Sequence, residues 1–271
     1  MIVSNRPNSG PVITEQGAAA AAATDIVLAD GAEWAVPEEV PVAFVYNRRN
    51  HAVMLATPDN LADFAIGFSL AEEIIRHPGE IEAIEIVHRE VGIDLHISLN
   101  ADRLERFDLI QRRRTLPGRA GCGLCGLDNT ESLTRPLPPI ADQAVELSPE
   151  ALAVAMAALP DWQPLNARTR SVHAAAWANS KGEVLAARED VGRHNALDKL
   201  VGALVRDGRD TADGFVVMSS RCSYELVEKA ARAGLPAIAT LSAPTAFAIR
   251  KAREARIALY ARSGGHFVRV P

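Results

Sequence analysis

The run Gly121-Cys122-Gly123-Leu124-Cys125-Gly126 holds two of the chain's three cysteines, separated by two residues. That spacing suits three chemistries: a reversible disulfide, half of a metal site, or a mobile thiolate that carries an atom to a distant acceptor. The glycines argue against a rigid site, because each adds backbone freedom that an ordered loop must give up. Arg112, Arg113, Arg114 and Arg119 lie just upstream, and cationic neighbours favour the thiolate, the reactive form of cysteine. The expectation is a flexible, electropositive loop that bears a thiol.

A second dense polar segment, Arg188-Glu189-Asp190-Val191-Gly192-Arg193-His194-Asn195-Ala196-Leu197-Asp198-Lys199, spans the end of an expected strand and the start of an expected helix. Asp190 and His194, His194 and Asp198, and Asn195 and Lys199 are each four apart, so the spacing predicts that they meet on one helix face. An acid that orients a histidine can serve proton transfer. The same residues can equally form a salt-bridged surface that fixes the turn.

Three further segments follow expected strands: Ser219-Ser220-Arg221, Ser242-Ala243-Pro244-Thr245 and Arg262-Ser263-Gly264-Gly265. If those strands are parallel, all three lie along the carboxyl edge of one sheet, where open α/β sheets bind ligands. Two of them begin helices, whose free N–H groups attract phosphate, and Arg221 and Arg262 would add charge-assisted contacts. Ser220 and Ser242 also suit ordinary helix caps. His173, in Val172-His173-Ala174-Ala175, reads as a core histidine on an apolar strand. Its surroundings are similar to the His-Ala-Glu of zinc deaminases, but Ala175 stands where those enzymes keep the proton-moving glutamate.

The elements that must position these groups can be read from periodicity. Residues 25–28 and 34–36 flank the turn signal Asp30-Gly31, and 42–46 and 52–56 flank Asn47–Asn50, giving two hairpins. Thr57-Pro58 reads as a helix cap followed by proline in the first turn, with the helix running to Ile75. Strands are expected at 81–87 and 93–99, and a charged helix from about 101 to 114 delivers the chain to the cysteine loop. Pro-rich Arg135–Pro139 marks the expected subdomain boundary. Beyond it, helices at 149–159, 192–205, 224–233 and 245–255 alternate with strands at 171–178, 184–187, 215–218, 237–241 and 257–260. That alternation predicts βαβ units and a partly parallel sheet. The division is thus a disordered lead-in over 1–23, a strand-rich subdomain over 24–134 and an α/β domain over 135–271.

The chain has 271 residues, 48% of them hydrophobic, enough to bury a real core. Its formal net charge of -5 argues against general affinity for nucleic acid or anionic membranes. No stretch is apolar enough to span a bilayer, and the alanine run 18–23 lacks the features of a signal peptide. Few cysteines, two of them in one loop, fit a reduced cytoplasmic protein.

Taken in order and spacing, the cysteine loop at 121–126, the segment at 188–199, Ser-Arg-Cys-Ser-Tyr-Glu-Leu at 220–226 and Ser-Ala-Pro-Thr-Ala at 242–246 resemble the FdhD family. The resemblance covers most of the chain from about Val40. It implies an α/β fold with a cytidine-deaminase-like layered sheet, without deaminase chemistry, joined to the smaller strand-rich subdomain in a homodimer. It also implies a sulfur carrier required for formate dehydrogenase activity. Such a carrier takes sulfur from a cysteine desulfurase and passes it to the molybdenum bis(molybdopterin guanine dinucleotide) cofactor before that cofactor enters the dehydrogenase. The persulfide-bearing residue carried over is Cys122. The cofactor-contacting segment carried over is Tyr260, Ala261, Arg262, Ser263, Gly264 and Gly265. Cys125 would resolve the persulfide or assist loading, and Cys222 is a bystander. The chain departs from the family at Arg170, where relatives tend to have glycine, and in lacking a proline in the C-terminal segment.

Three other readings of the thiol pair stay open. A thioredoxin-like oxidoreductase would place it at the start of a helix after a strand. A structural zinc site would need four ligands. A cofactor-binding chaperone would leave the cysteines incidental.

Overall fold

The computed structural model describes residues 10–113, 135–140 and 145–271, with the backbone alone at 108–113. The first half builds a five-stranded sheet from β1 (Val12–Gln16), β4 (Val40–Tyr46), β5 (Arg49–Ala56), β6 (Ile81–Arg89) and β7 (Gly92–Leu99), in the order β1-β6-β7-β4-β5. A separate hairpin pairs β2 (Ala23–Val27) with β3 (Glu33–Pro37). The period-2 pattern sets which way the larger sheet faces. Val42, Phe44 and Tyr46 on β4, Ile84 and Ile86 on β6, and Leu95 and Ile97 on β7 are all buried on one side.

That side rests on helix α1 (Leu61–Ala71), which packs in turn against α5 (Arg193–Arg206). Helix α1 is buried on nearly every face, as expected of a helix held between two layers rather than against one. It meets α5 backbone to backbone at two glycines. A Cβ on Gly67 would lie 1.7 Å from the carbonyl oxygen of Asp198, and one on Gly202 would lie 1.9 Å from that of Asp63. Helix α2 (Ala101–Arg113) leads toward the cysteine segment, and α3 (Pro149–Ala158) and α4 (Pro164–Thr169) precede the second sheet.

The second sheet holds β8 (His173–Asn179), β9 (Val184–Asp190), β10 (Gly214–Met218), β11 (Ala237–Thr240), β12 (Ala258–Ser263) and β13 (His266–Arg269), in the order β13-β12-β11-β10-β8-β9. Helices α6 (Tyr224–Arg232) and α7 (Ala246–Glu254) connect β10 to β11 and β11 to β12, and those three strands are parallel. β8 is antiparallel to both β10 and β9, so β9 points the same way as β10. One face, including Trp177, Val216, Met218, Ile238 and Leu259, joins the same core as the first sheet. The other face, including Phe215, Val217 and Tyr260, packs with Leu152 and Ala155 of α3. The result is a mixed α/β arrangement: sheet, helices, sheet, helix.

Most expected elements are present, and the differences have physical causes. Residues 12–16, expected within a disordered lead-in, form the outer strand of the first sheet, in parallel register with β6. Thr57 does not cap α1; Asn60 precedes the helix in a left-handed conformation with no side-chain cap. The helix stops at Ala71, short of Ile75, because Glu73 takes φ +55 and the N–H groups of Ile74 and Ile75 turn back to the Ser69 carbonyl. Ser220 and Ser242 are not helix caps: α6 and α7 begin after Ser223 and Thr245. β13 and α4 are additional. The Pro-rich segment 135–139 and Ile140 lie along α7, where the Ile140 N–H reaches the Ala255 carbonyl and Lys251 donates to that of Arg135.

A candidate binding edge on the second sheet

Four strands, β9 to β12, end on one edge, and β8 begins there at His173, whose register partner is Asp190. The parallel arrangement supposed from the sequence for β10, β11 and β12 is the one found. It brings the ends of those strands together with the start of α5. The residues on that edge divide into those that hold it and those that face outward.

Asp190 holds it. Its carboxylate is fully buried and accepts from the Gly192 N–H (2.8 Å) and Asn195 Nδ2 (2.9 Å) on one oxygen, and from the Thr57 N–H (3.0 Å) and Lys199 Nζ (2.7 Å) on the other. Lys199, also fully buried, donates to the Thr57 carbonyl at 2.8 Å, and the Thr57 hydroxyl accepts from the Val191 N–H at 3.1 Å. Every polar group of Thr57 is thereby engaged across the two layers. A buried ion pair is tolerated only when its remaining hydrogen-bonding capacity is met in this way.

The pairings differ from the four-residue spacing read in the sequence. Asp190 pairs with Lys199 rather than His194, because the helix starts only at Arg193 and Asp190 still belongs to the strand. Asp198 pairs with Lys229 of α6, whose Nζ lies 2.9 and 2.8 Å from its two oxygens. His194 Nε2 lies 2.8 Å from Glu225 Oε2 and 3.2 Å from Ser223 Oγ, both beyond β10. The hydrogen bond with His194 is the main reason that the Glu225 carboxyl sits below its usual range, against the opposing effect of burial.

Around this pair the edge keeps unmet polar capacity. Glu225 Oε1 and Arg193 Nε are buried with no hydrogen-bond partner among the described residues. Arg221 and Arg262 are exposed. Arg193, Arg221 and Arg262 thus supply cations at three strand ends, the chemistry that receives phosphate or carboxylate.

The segment 260–265 is divided in its exposure. Tyr260 and Ala261 are buried, and the Tyr260 hydroxyl accepts from the Leu147 N–H at 3.0 Å in the second core. Arg262 and Ser263 emerge at the strand end, and Gly264 (φ +57) and Gly265 (φ +91) turn the chain into β13. Two consecutive positive φ values are the requirement of a tight two-residue hairpin, which glycine meets without steric cost. Ser219 continues the β-ladder, its hydroxyl accepting from the Ala174 N–H at 2.8 Å. Cys222 is buried and its thiol is pushed up to about 12, which disfavours the reactive thiolate near neutral pH. Cys122, Cys125, Arg114 and Arg119 lie outside the described residues.

His173, half buried at the same edge, is held below the ordinary histidine value of 6.5, first by burial and then by Arg193 and His194. A histidine with a lowered folded-state value binds its proton more readily when unfolded. Stability should therefore fall as the pH drops below about 6.5 toward the folded value. His173→Asn should lose less melting temperature than the parent between pH 7.5 and 5.5. Parallel losses in a thermal melt would contradict this.

In the sequence Arg193 and Glu225 stand inside longer motifs with no role of their own, and Thr57 is not the helix cap that its place before Pro58 predicts. Their partners lie on other elements, beyond the reach of local spacing. Glu225 is 31 positions from His194, and Thr57 is 133 from Asp190.

Comparison with known proteins decides the family. The model of the FdhD/NarQ family matches residues 37–270. The chain belongs to the FdhD/NarQ family. Its similarity to other members is high: 47% identity over 231 residues to the sulfur carrier protein FdhD of Xanthomonas euvesicatoria, covering 85% of this chain and 81% of that one. The protein of the same name from Cupriavidus necator is 47% identical over 235 residues, covering 86% and 81%. The fold matches the crystal structure of a candidate formate dehydrogenase accessory protein from Desulfotalea psychrophila, with a TM-score of 0.67 at 22% identity, covering 91% and 94%. Strand β1 and the β2–β3 hairpin fall before or at the start of the family match.

Proposed function

We propose that this protein is a sulfur carrier serving formate dehydrogenase, acting as an accessory sulfurtransferase in the cytoplasm. The observation that carries the reading is the cationic strand-end edge in a chain 47% identical to proteins named sulfur carrier protein FdhD. A cysteine desulfurase is the donor. The Cys122 thiolate attacks the outer sulfur of the donor's persulfide. The donor's S–S bond breaks, a new one forms on Cys122, and the donor leaves as a thiolate, with no net oxidation. The perthiolate then meets its acceptor, molybdenum bis(molybdopterin guanine dinucleotide), which is substrate here rather than a resident cofactor.

The chain's own part is to bind that acceptor. Arg193, Arg221 and Arg262 supply cations for its phosphates, the Gly264–Gly265 turn allows close backbone approach, and the Asp190–Lys199–Thr57 network keeps the start of α5 in place. The second sheet, read as cytidine-deaminase-like, supports this: a hairpin taken in reverse order precedes three parallel strands, and the ligand edge lies at their ends. A homodimer would let the thiol of one copy serve the edge of either. Docking of the anion by the edge does not itself require the thiols, so cofactor chaperoning is a companion activity.

Incubation with desulfurase, cysteine and labelled sulfur tests the assignment. The parent and Cys222→Ala should retain protein-bound label, and Cys122→Ala should lose most of it together with formate dehydrogenase maturation. Full retention of label and maturation in Cys122→Ala would refute the reading and favour the chaperone.

A further inference from the structure

At the opposite end of the second sheet, a groove of about 480 Å³ opens between the last turn of α7 and the starts and ends of β12 and β13. Its floor is apolar, formed by Ile249, Ala252, Ile257, Leu259 and Val270. Its rim carries Arg253, Arg256 and Arg269, all exposed. The groove exists because α7 covers β12 while α3 covers β13 only from the other face. β13 is also the sheet's last strand, and no strand pairs with its outer side among the described residues. The Val270 N–H donates inward to the Leu259 carbonyl. Since strand N–H groups alternate in direction, those of Phe267 and Arg269 point away from β12. An edge of unpaired N–H and C=O groups is a template for an added strand.

The charge at this place is opposite to that of the chain as a whole, whose formal net charge is -5. Two neighbouring carboxylates are already engaged: Glu254 is held by Lys251 at 2.9 Å, and Glu146 stands 3.7 Å from Arg269 in an exposed pair. Arg253 has no ion-pair partner among the described residues. The carbonyl end of α7 carries about half a negative charge, set against the arginines on the rim. An apolar floor, a cationic rim and an open strand edge together fit one class of occupant.

We propose that this groove docks an extended, acidic segment of a partner protein, which adds as a strand to β13. Its backbone pairs with the outer edge of β13, alternate apolar side chains enter the groove, and its carboxylates meet Arg253 and Arg269. This is the strand-addition mode, in which main-chain hydrogen bonds give affinity and side chains give specificity. The site is separate from the strand-end edge, and the proposal does not depend on sulfur transfer.

The probe is a labelled eight-residue peptide of alternating valine and glutamate, followed by fluorescence anisotropy against the full chain. It should bind about tenfold more tightly than the valine–lysine counterpart, and Arg253→Glu and Arg269→Glu should each weaken it by about tenfold. N-methylation of every second peptide bond should abolish binding, since it removes the strand pairing. Equal binding of the two peptides, indifference to both arginine variants, or indifference to N-methylation would overturn the proposal. So would tighter, Arg253-dependent binding of phosphatidylglycerol vesicles, which would assign the groove to a membrane. Loss of self-association in Arg253→Glu, seen by sedimentation, would assign it to a second copy of this chain.

Discussion

Replacing Lys199 by methionine is expected to destabilise the protein by about 3–5 kcal/mol, the cost of leaving one member of a buried ion pair alone. Asp190 and Lys199 are both fully buried, 2.7 Å apart. Methionine preserves most of the volume but removes the positive charge and the hydrogen bond to the Thr57 carbonyl. Asp190 would keep its backbone and Asn195 contacts and lose its counter-ion. The double variant Asp190→Asn/Lys199→Met should recover much of the loss, because the isolated charge is then gone. Urea denaturation measures both. A loss below about 1 kcal/mol in the single variant, the range of an exposed pair, would mean that water reaches this site.

The second large effect concerns the α1–α5 contact. Gly67→Ala is expected to cost about 3 kcal/mol or more, at the upper end of overpacking. A methyl group there would overlap the Asp198 carbonyl oxygen at 1.7 Å, and backbone atoms cannot rotate away as a side chain can. The helices must separate, and separation strains the Arg188–Asp63 contact (2.8 Å) that joins β9 to α1. Gly202→Ala should behave alike, since it meets the Asp63 carbonyl at 1.9 Å, although alanine favours the helix itself by about 1 kcal/mol. Thermal melts of both variants check this. An unchanged melting temperature would show that the two helices are not in the close contact described.

How much of this could be read from the sequence follows from how local each signal is. The 42–46 and 52–56 hairpin and the helix–strand alternation beyond residue 170 were legible because hydrophobic period and turn residues act within one element. The strand-end edge was legible too, since polar residues after apolar runs mark where parallel strands stop. β1 was not legible. Its five residues, Val12 to Gln16, are all exposed and carry no buried face, so the strand is specified by pairing with β6 rather than by its own pattern. Thr57 looked like a cap because threonine before proline usually is one, and its actual partners lie on β9 and α5. Likewise, spacing offers His194 both Asp190 and Asp198, each four residues away, while the structure gives it Glu225 of α6. The dual burial of segment 260–265 also needed the fold: alternation along β12 sends the Tyr260 side chain into the second core before Arg262 reaches solvent.

We propose that Cys122 carries one sulfur atom as a persulfide. Intact-mass measurement of the purified chain after treatment with a cysteine desulfurase and cysteine tests it most directly. The expected result is a gain of one sulfur, removed by thiol reductant, present in Cys125→Ala and absent in Cys122→Ala. A mass lower by two hydrogens with no sulfur gained would instead identify a Cys122–Cys125 disulfide and refute the carrier role of Cys122.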